Sequence, residues 1–175
     1  MLDRSPAQPA TTLKIAPPAT RFILRGADVV APASAAFGVA IPTTPLRATT
    51  NGARTAFWLG PDEWLLIALE AETVALQQTL ETALAGVPHA LVNVSNRQTA
   101  LLIDGPGAAT ALNAGTPLDL APAAFPIGMV ARTIFEKAEI VLWRSGEQSF
   151  RVEGWRSFAP YVQGLLEAAI SDDAA

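Results

Sequence analysis

The stretch "LLIDGPGAATALNAG" (residues 101–115) runs from an apolar segment, through a Gly-Pro-Gly bend, into an alanine-rich segment. Strand, glycine loop and helix in that order fit either a phosphate-cradling loop or a plain turn. A dinucleotide fingerprint needs Gly-x-Gly-x-x-Gly or Ala at this junction, with an acidic residue about 20 positions further on. Gly105 and Gly107 fit. Thr110 takes the third position and brings a branched side chain where close packing is wanted, and Asp119 comes too early. No Gly-Lys-Ser or Gly-Lys-Thr supplies a lysine for a phosphate. As architecture, every residue is explained: Gly105 permits a tight turn, Pro106 opens a helix where its missing N–H costs nothing, and Gly115 ends it.

Working outward, "QTALLI" (98–103) predicts the strand entering this turn, and "ALVNV" (90–94) another before it. "TAFWLG" and "EWLLIAL" around the turn Gly60–Asp62 predict a hairpin. In "ETVALQQTLETALAG", Thr73, Leu76, Leu80, Ala83 and Leu84 recur at helical spacing, with Gly86 and Pro88 as the stop. "ARTIF" and "EIVLWR" predict a second hairpin, "SFRVEG" (149–154) a further strand, and Trp155, Phe158, Ala159, Val162, Leu165, Leu166, Ala169 and Ile170 the stripe of a final helix, with Phe158 in the core. "RFILRG" (21–26) and "FGVAI" (37–41) read as short strands. Residues 1–20 hold four prolines and predict an extended, mobile arm, leaving 21–175 as a single domain. An offset of 86 residues lays "GPDEWLLIALEAETVALQQTLE" on "GEQSFRVEGWRSFAPYVQGLLE", matching Gly60 with Gly146, Trp64 with Phe150, Leu66 with Val152 and Leu80 with Leu166. Two pseudo-equivalent strand-strand-helix units in an α+β domain follow, with helices on an antiparallel or mixed sheet.

Half of the 175 residues are apolar and only 16% are charged, so part of the surface must be apolar or covered. Such a chain calls for a partner, and the sequence leaves self-association open. A net charge of -4 argues against nucleic acid, which needs clustered Lys and Arg. With no cysteine there is no thiolate chemistry and no disulfide. No signal-peptide core and no apolar run of membrane-spanning length is present, which predicts a cytoplasmic protein.

Candidate chemistry is thin. The single histidine, His89, has no nucleophile arranged beside it and reads as a loop residue. No spacing suits a metal, and the paired carboxylates fall at turns or the tail. No catalytic residue is assigned. Two stretches stand out. "NVSNRQ" (93–98) offers Asn93, Ser95, Asn96, Arg97 and Gln98 either as turn caps or as a ligand or partner surface. "EGWRSFAPY" (153–161) brings together Glu153, Trp155, Arg156, Phe158 and Tyr161, the residue types that interfaces favour as anchors, with a helix start over the core as the other reading.

The blocks "LGPDEWLL", "VSNRQTALLIDGPGAATALNAGTPLDL", "FPIGMVARTIFEKAEIVLWR" and "FRVEGWRSFAPYVQGLLEAA", spread in one order over roughly residues 20–170, resemble the gamma-subunit family of heterotetrameric sarcosine oxidases. That family is similar in fold to the folate-binding domain of glycine-cleavage aminomethyltransferases. The resemblance implies a noncatalytic structural subunit of a complex that oxidatively demethylates sarcosine to glycine, releasing hydrogen peroxide and passing the one-carbon unit to tetrahydrofolate. It implies FAD, FMN and NAD on the large subunits, zinc on the smallest, none of them on this chain, and alpha, beta and delta subunits as partners, chiefly alpha. Three positions depart from the family's pattern: Asn96 where a histidine is common, and Thr116 and Val130 where cysteines are common. Arg97, Asp119, Arg132, Trp155 and Arg156 are the candidate partner contacts. The alternative is a folate or pterin binder using Asn93, Arg132 and Glu153.

Overall fold

The computed structural model describes residues 10–173. Ten strands form two five-stranded sheets in which every neighbouring pair is antiparallel. The first half contains β1 (Thr12–Ile15), β2 (Ala19–Arg25), α1 (Val30–Phe37), β3 (Ala48–Asn51), β4 (Arg54–Gly60), β5 (Glu63–Leu69) and α2 (Thr73–Ala83). The second contains β6 (Ala90–Asn93), β7 (Gln98–Asp104), α3 (Ala108–Asn113), β8 (Val130–Phe135), β9 (Ala138–Arg144), β10 (Ser149–Trp155) and α4 (Ala159–Asp173).

The sheet orders, β6-β2-β5-β4-β3 and β1-β7-β10-β9-β8, are the same pattern written twice. The short strand that precedes each half crosses to the other half's sheet, so β1 pairs with β7 and β6 pairs with β2. The two expected units are therefore present and exchange their edge strands. The central strands alternate between two buried faces, while β1, β3 and β6 are largely exposed. Outer faces pack on helices: Phe22, Leu66 and Trp64 against α1 and α2, and Ile103, Phe150 and Val152 against α3 and α4. Inner faces pack on each other through Phe57, Leu65, Ile67, Val130 and Val141. Burying each such side chain contributes about 1.5–3 kcal/mol relative to exposure.

The bend of the opening stretch has a packing role. Gly105 sits at φ 123°, and a Cβ there would lie 2.7 Å from Thr11 Cα, on the segment that leads into β1. The amides of the bend are engaged within the chain: Gly105 donates to Gln148 O, Gly107 to Thr11 Oγ1 and Ala108 to Gly105 O. Gly26 does the same work in the first half, at φ 148°, where a Cβ would lie 2.8 Å from Pro88 O on the approach to β6.

Three expectations need correction. Residues 12–15 of the expected mobile arm form β1, held by hydrogen bonding along β7, and Ala19 and Thr20 already belong to β2. Residues 1–9 of the arm lie outside the described residues. "FGVAI" is not a strand: Phe37 ends α1 and Gly38 turns the chain at φ 73°. Phe158 is not in the core but 43% exposed, because α4 starts only at Ala159 and the stripe buried beneath it is Val162 and Leu166. Among the described residues, no helix is long and apolar enough to cross a membrane.

Candidate functional site

The inner faces of the sheets carry a buried charged cluster. Arg21 on β2 and Glu153 on β10 are both buried, with Arg21 Nε donating to Glu153 Oε2 at 2.7 Å. The other oxygen of Glu153 accepts from Arg151 Nε at 2.8 Å and from Arg21 Nη2 at 3.3 Å. One carboxylate thus answers two guanidinium groups, and the strong charge-assisted bonds fix all three side chains. The strand registers put Arg21 opposite Ile67 and Glu153 opposite Ala100. The partners 132 positions apart in the chain meet only because the two sheets face one another.

Beside this cluster, at the open end of the space between the sheets, lies a polar cavity of about 180 Å³. Arg97, Arg132, Glu153 and Trp155 all line it, so the structure gathers four residues singled out in the sequence. Arg97 lies over the Trp155 ring with its guanidinium carbon 5.1 Å from the centroid, a cation–π contact. Arg132 donates to Glu63 at 2.7 Å and lies 3.9 Å from Glu139. Gln98 Oε1, also on this wall, is buried without a hydrogen-bond partner.

The remaining candidates sit elsewhere. Asp119 is exposed on the loop after α3, where its carboxylate accepts from the Ala121 amide. Asn93 accepts from the Ser95 amide and hydroxyl, and Ser95 Oγ in turn accepts from the Arg21 amide. His89 is exposed, with Nδ1 2.7 Å from Val87 O. Arg156 is exposed next to Trp155, and its amide donates to Arg97 O at 2.8 Å, tying the 94–97 turn to the end of β10.

That junction between β10 and α4 differs from the rest of the surface. Among the described residues, the exposed aromatic side chains are Trp155 at 44%, Phe158 at 43% and Tyr161 at 40%. All three fall within seven residues. The corresponding junction of the first half, between β5 and α2, places Leu69, Glu70, Glu72 and Ala75 at the positions of Trp155, Arg156, Phe158 and Tyr161. There Arg54 hydrogen-bonds Glu72 and holds its carboxyl below the usual carboxylate range, against a smaller opposing effect of burial.

Sequence reasoning missed Arg21, Arg151, Glu63 and Glu139 as parts of this region. Their only signal was a charge at an inward-facing strand position, which is visible once the strand pairing is known.

Comparison with known proteins agrees with this architecture. The model of the Sarcosine oxidase, gamma subunit family matches residues 25–172. The sarcosine oxidase subunit gamma of Corynebacterium sp. (strain U-96) is 36% identical over 140 residues, covering 79% of this chain and 67% of that protein. The subunit gamma of an Arthrobacter species is 36% identical over 120 residues, covering 68% of this chain and 58% of that protein. A chain of the solved heterotetrameric sarcosine oxidase from Corynebacterium sp. U-96, in complex with pyrrole 2-carboxylate, superposes with a TM-score of 0.88 at 32% identity, covering 94% of this chain and 86% of that one. The glycine cleavage system aminomethyltransferase T from Bartonella henselae shares the fold, with a TM-score of 0.70 at 15% identity, over 91% of this chain and 46% of that one. The two-sheet architecture and the family match together establish that this chain belongs to the sarcosine oxidase gamma subunit family.

Proposed function

We propose that this chain is the noncatalytic assembly subunit of a sarcosine oxidase-type complex in the cytoplasm. The complex demethylates sarcosine to glycine with tetrahydrofolate as one-carbon acceptor. In this reading the chain docks chiefly on the large alpha subunit, beside beta and delta, with FAD, FMN and NAD on the large subunits and zinc on the smallest. Arg97, Asp119, Arg132, Trp155 and Arg156 are its proposed contact residues.

The observation that carries the reading is the likeness, over 94% of this chain, to a chain of a heterotetrameric sarcosine oxidase. The chemistry of the chain is consistent with a supporting role. It has no cysteine, and its one histidine lies on an exposed turn. The loop amides at Gly105–Ala108 are already bonded within the chain, so a cofactor phosphate finds no free cradle there. These residues do not suit a flavin, a nicotinamide or a zinc ion, and no chemical step is assigned to them.

A pterin-binding reading draws support only from the polar cavity and its unpaired Gln98 Oε1. The side chains proposed for it are occupied: Asn93 by Ser95, Arg132 by Glu63 and Glu153 by Arg21 and Arg151. Calorimetry of the full chain with millimolar tetrahydrofolate separates the two readings, with no heat expected.

Co-expression with alpha, beta and delta partners tests the main reading. The expected result is one complex that contains this chain, and an inactive alpha–beta–delta subcomplex when it is left out. Recovery of a fully assembled and active complex without it would overturn the proposal.

A further inference from the structure

The two halves repeat one fold, so each surface site has a counterpart that experienced the same structural demands. We propose that the β10–α4 junction, built from Trp155, Phe158, Tyr161, Arg97 and Arg156, is the docking face of this chain, and that its occupant is an acidic segment with apolar side chains on a larger partner subunit. This deepens the assembly reading and rests on it.

The fold itself does not ask for aromatic groups at this corner. The counterpart corner closes the same strand-to-helix turn with Leu69, Glu70, Glu72 and Ala75. Leaving three large aromatic side chains about 40% exposed keeps apolar area in water, an unfavourable arrangement that a partner would relieve. Trp, Tyr and Arg are also the residues that dominate binding energy at interfaces.

The charge identifies the occupant. The protein carries a net charge of -4, yet this corner places Arg97 and Arg156 beside its aromatic groups, with Glu139 and Glu70 at its borders. Among the described residues, neither Arg97 nor Arg156 forms an ion pair. The equivalent corner is acidic. Carboxylates on the partner would find here two guanidinium groups that are in no ion pair among the described residues. Stacking on Trp155 also holds Arg97 in place, so less side-chain freedom is lost when it binds. The cavity of about 180 Å³ that Arg97 and Trp155 help to line gives a partner side chain somewhere to enter, with the unpartnered Gln98 Oε1 on its wall.

The test uses the full chain titrated onto purified alpha–beta–delta subcomplex by interferometry. Three variants are compared with the native sequence: Trp155→Ala with Phe158→Ala, Arg97→Glu with Arg156→Glu, and Leu69→Ala with Val74→Ala at the counterpart corner. Circular dichroism melts confirm that each remains folded. The first two are expected to weaken binding by about 30-fold or more, as hot-spot substitutions do, and the third to leave it within about threefold. Raising the salt should weaken the native chain more than the charge-reversed one. Binding unaffected by the first two variants would overturn this surface while leaving the assembly reading intact. Failure of the native chain to bind at all would overturn both. A self-dimer that the first two variants abolish, with partner binding unchanged, would assign the face to a second copy instead and overturn the proposal.

Discussion

Set side by side, the two halves of this molecule share their backbone plan and differ in what they place on it. Each has a left-handed glycine after its second strand, Gly26 after β2 or Gly105 after β7, that makes room for the other half's edge strand. Each packs two helices on one face of its sheet. Two of the differences bear on function. Between the sheets, the second half presents Glu153 where the first presents Ile67, and the first presents Arg21 where the second presents Ala100. At the strand-to-helix corner, Trp155, Arg156, Phe158 and Tyr161 stand where the first half has Leu69, Glu70, Glu72 and Ala75. What repeats is the requirement of the fold, and what departs from the repeat is the place to look for function.

The ion pair gives the largest expected effect. Glu153→Ile copies the first half's residue but leaves Arg21 buried without a carboxylate, and should cost about 3–5 kcal/mol. Adding Arg21→Ala, which copies Ala100, should return most of that loss, because Ala100 and Ile67 are themselves buried and apolar. Urea denaturation of the single and double variants measures both. A double variant no more stable than the single would break the equivalence of the halves.

Next come the glycines. Gly105→Ala and Gly26→Ala each force a side chain onto backbone atoms at positive φ and should each cost about 1–3 kcal/mol. Hydrogen exchange should locate the damage across the halves, at β1 for Gly105 and at β6 for Gly26.

The tryptophans sharpen the comparison further. Trp64 Nε1 donates to Pro42 O at 2.7 Å, whereas Trp143 Nε1 is buried without a partner. Trp64→Phe leaves a carbonyl unpaired and should cost about 1–2 kcal/mol more than Trp143→Phe, read from melting curves.

These contrasts also show what the sequence could disclose. β7, β9 and β10 were legible because their apolar runs end in clear turns. β1 was hidden by surrounding prolines, and β3 by its composition, Ala-Thr-Thr-Asn, which is half exposed on both faces. α1 was missed because Pro32 lies inside it, yet in the first turn a proline forfeits no helical hydrogen bond. Trp155 and Arg156 stood out by residue type. Arg21 and Glu153 could not be paired, because only the crossing of the two sheets brings them together.

The smallest effect concerns the counterpart corner. Arg54 lowers the pKa of Glu72, so the folded state favours its charged form. The stability this contributes is present above the unfolded value, near 4.5, and is lost as the pH falls through the lower folded value. Native chain minus Glu72→Gln should therefore show a constant advantage of about 0.2–1 kcal/mol above pH 5, shrinking at more acidic pH. A difference that grows on acidification would have the wrong sign.

The central claim is that one of two equivalent corners has been turned into a docking face. Hydroxyl-radical footprinting of the full chain, free and within the reconstituted complex, addresses it most directly. The expected result is protection of Trp155, Phe158 and Tyr161 on assembly, with Leu69 and Val74 as reactive as before. Unchanged reactivity of the three aromatic residues, or protection of Leu69 and Val74 in their place, would contradict it.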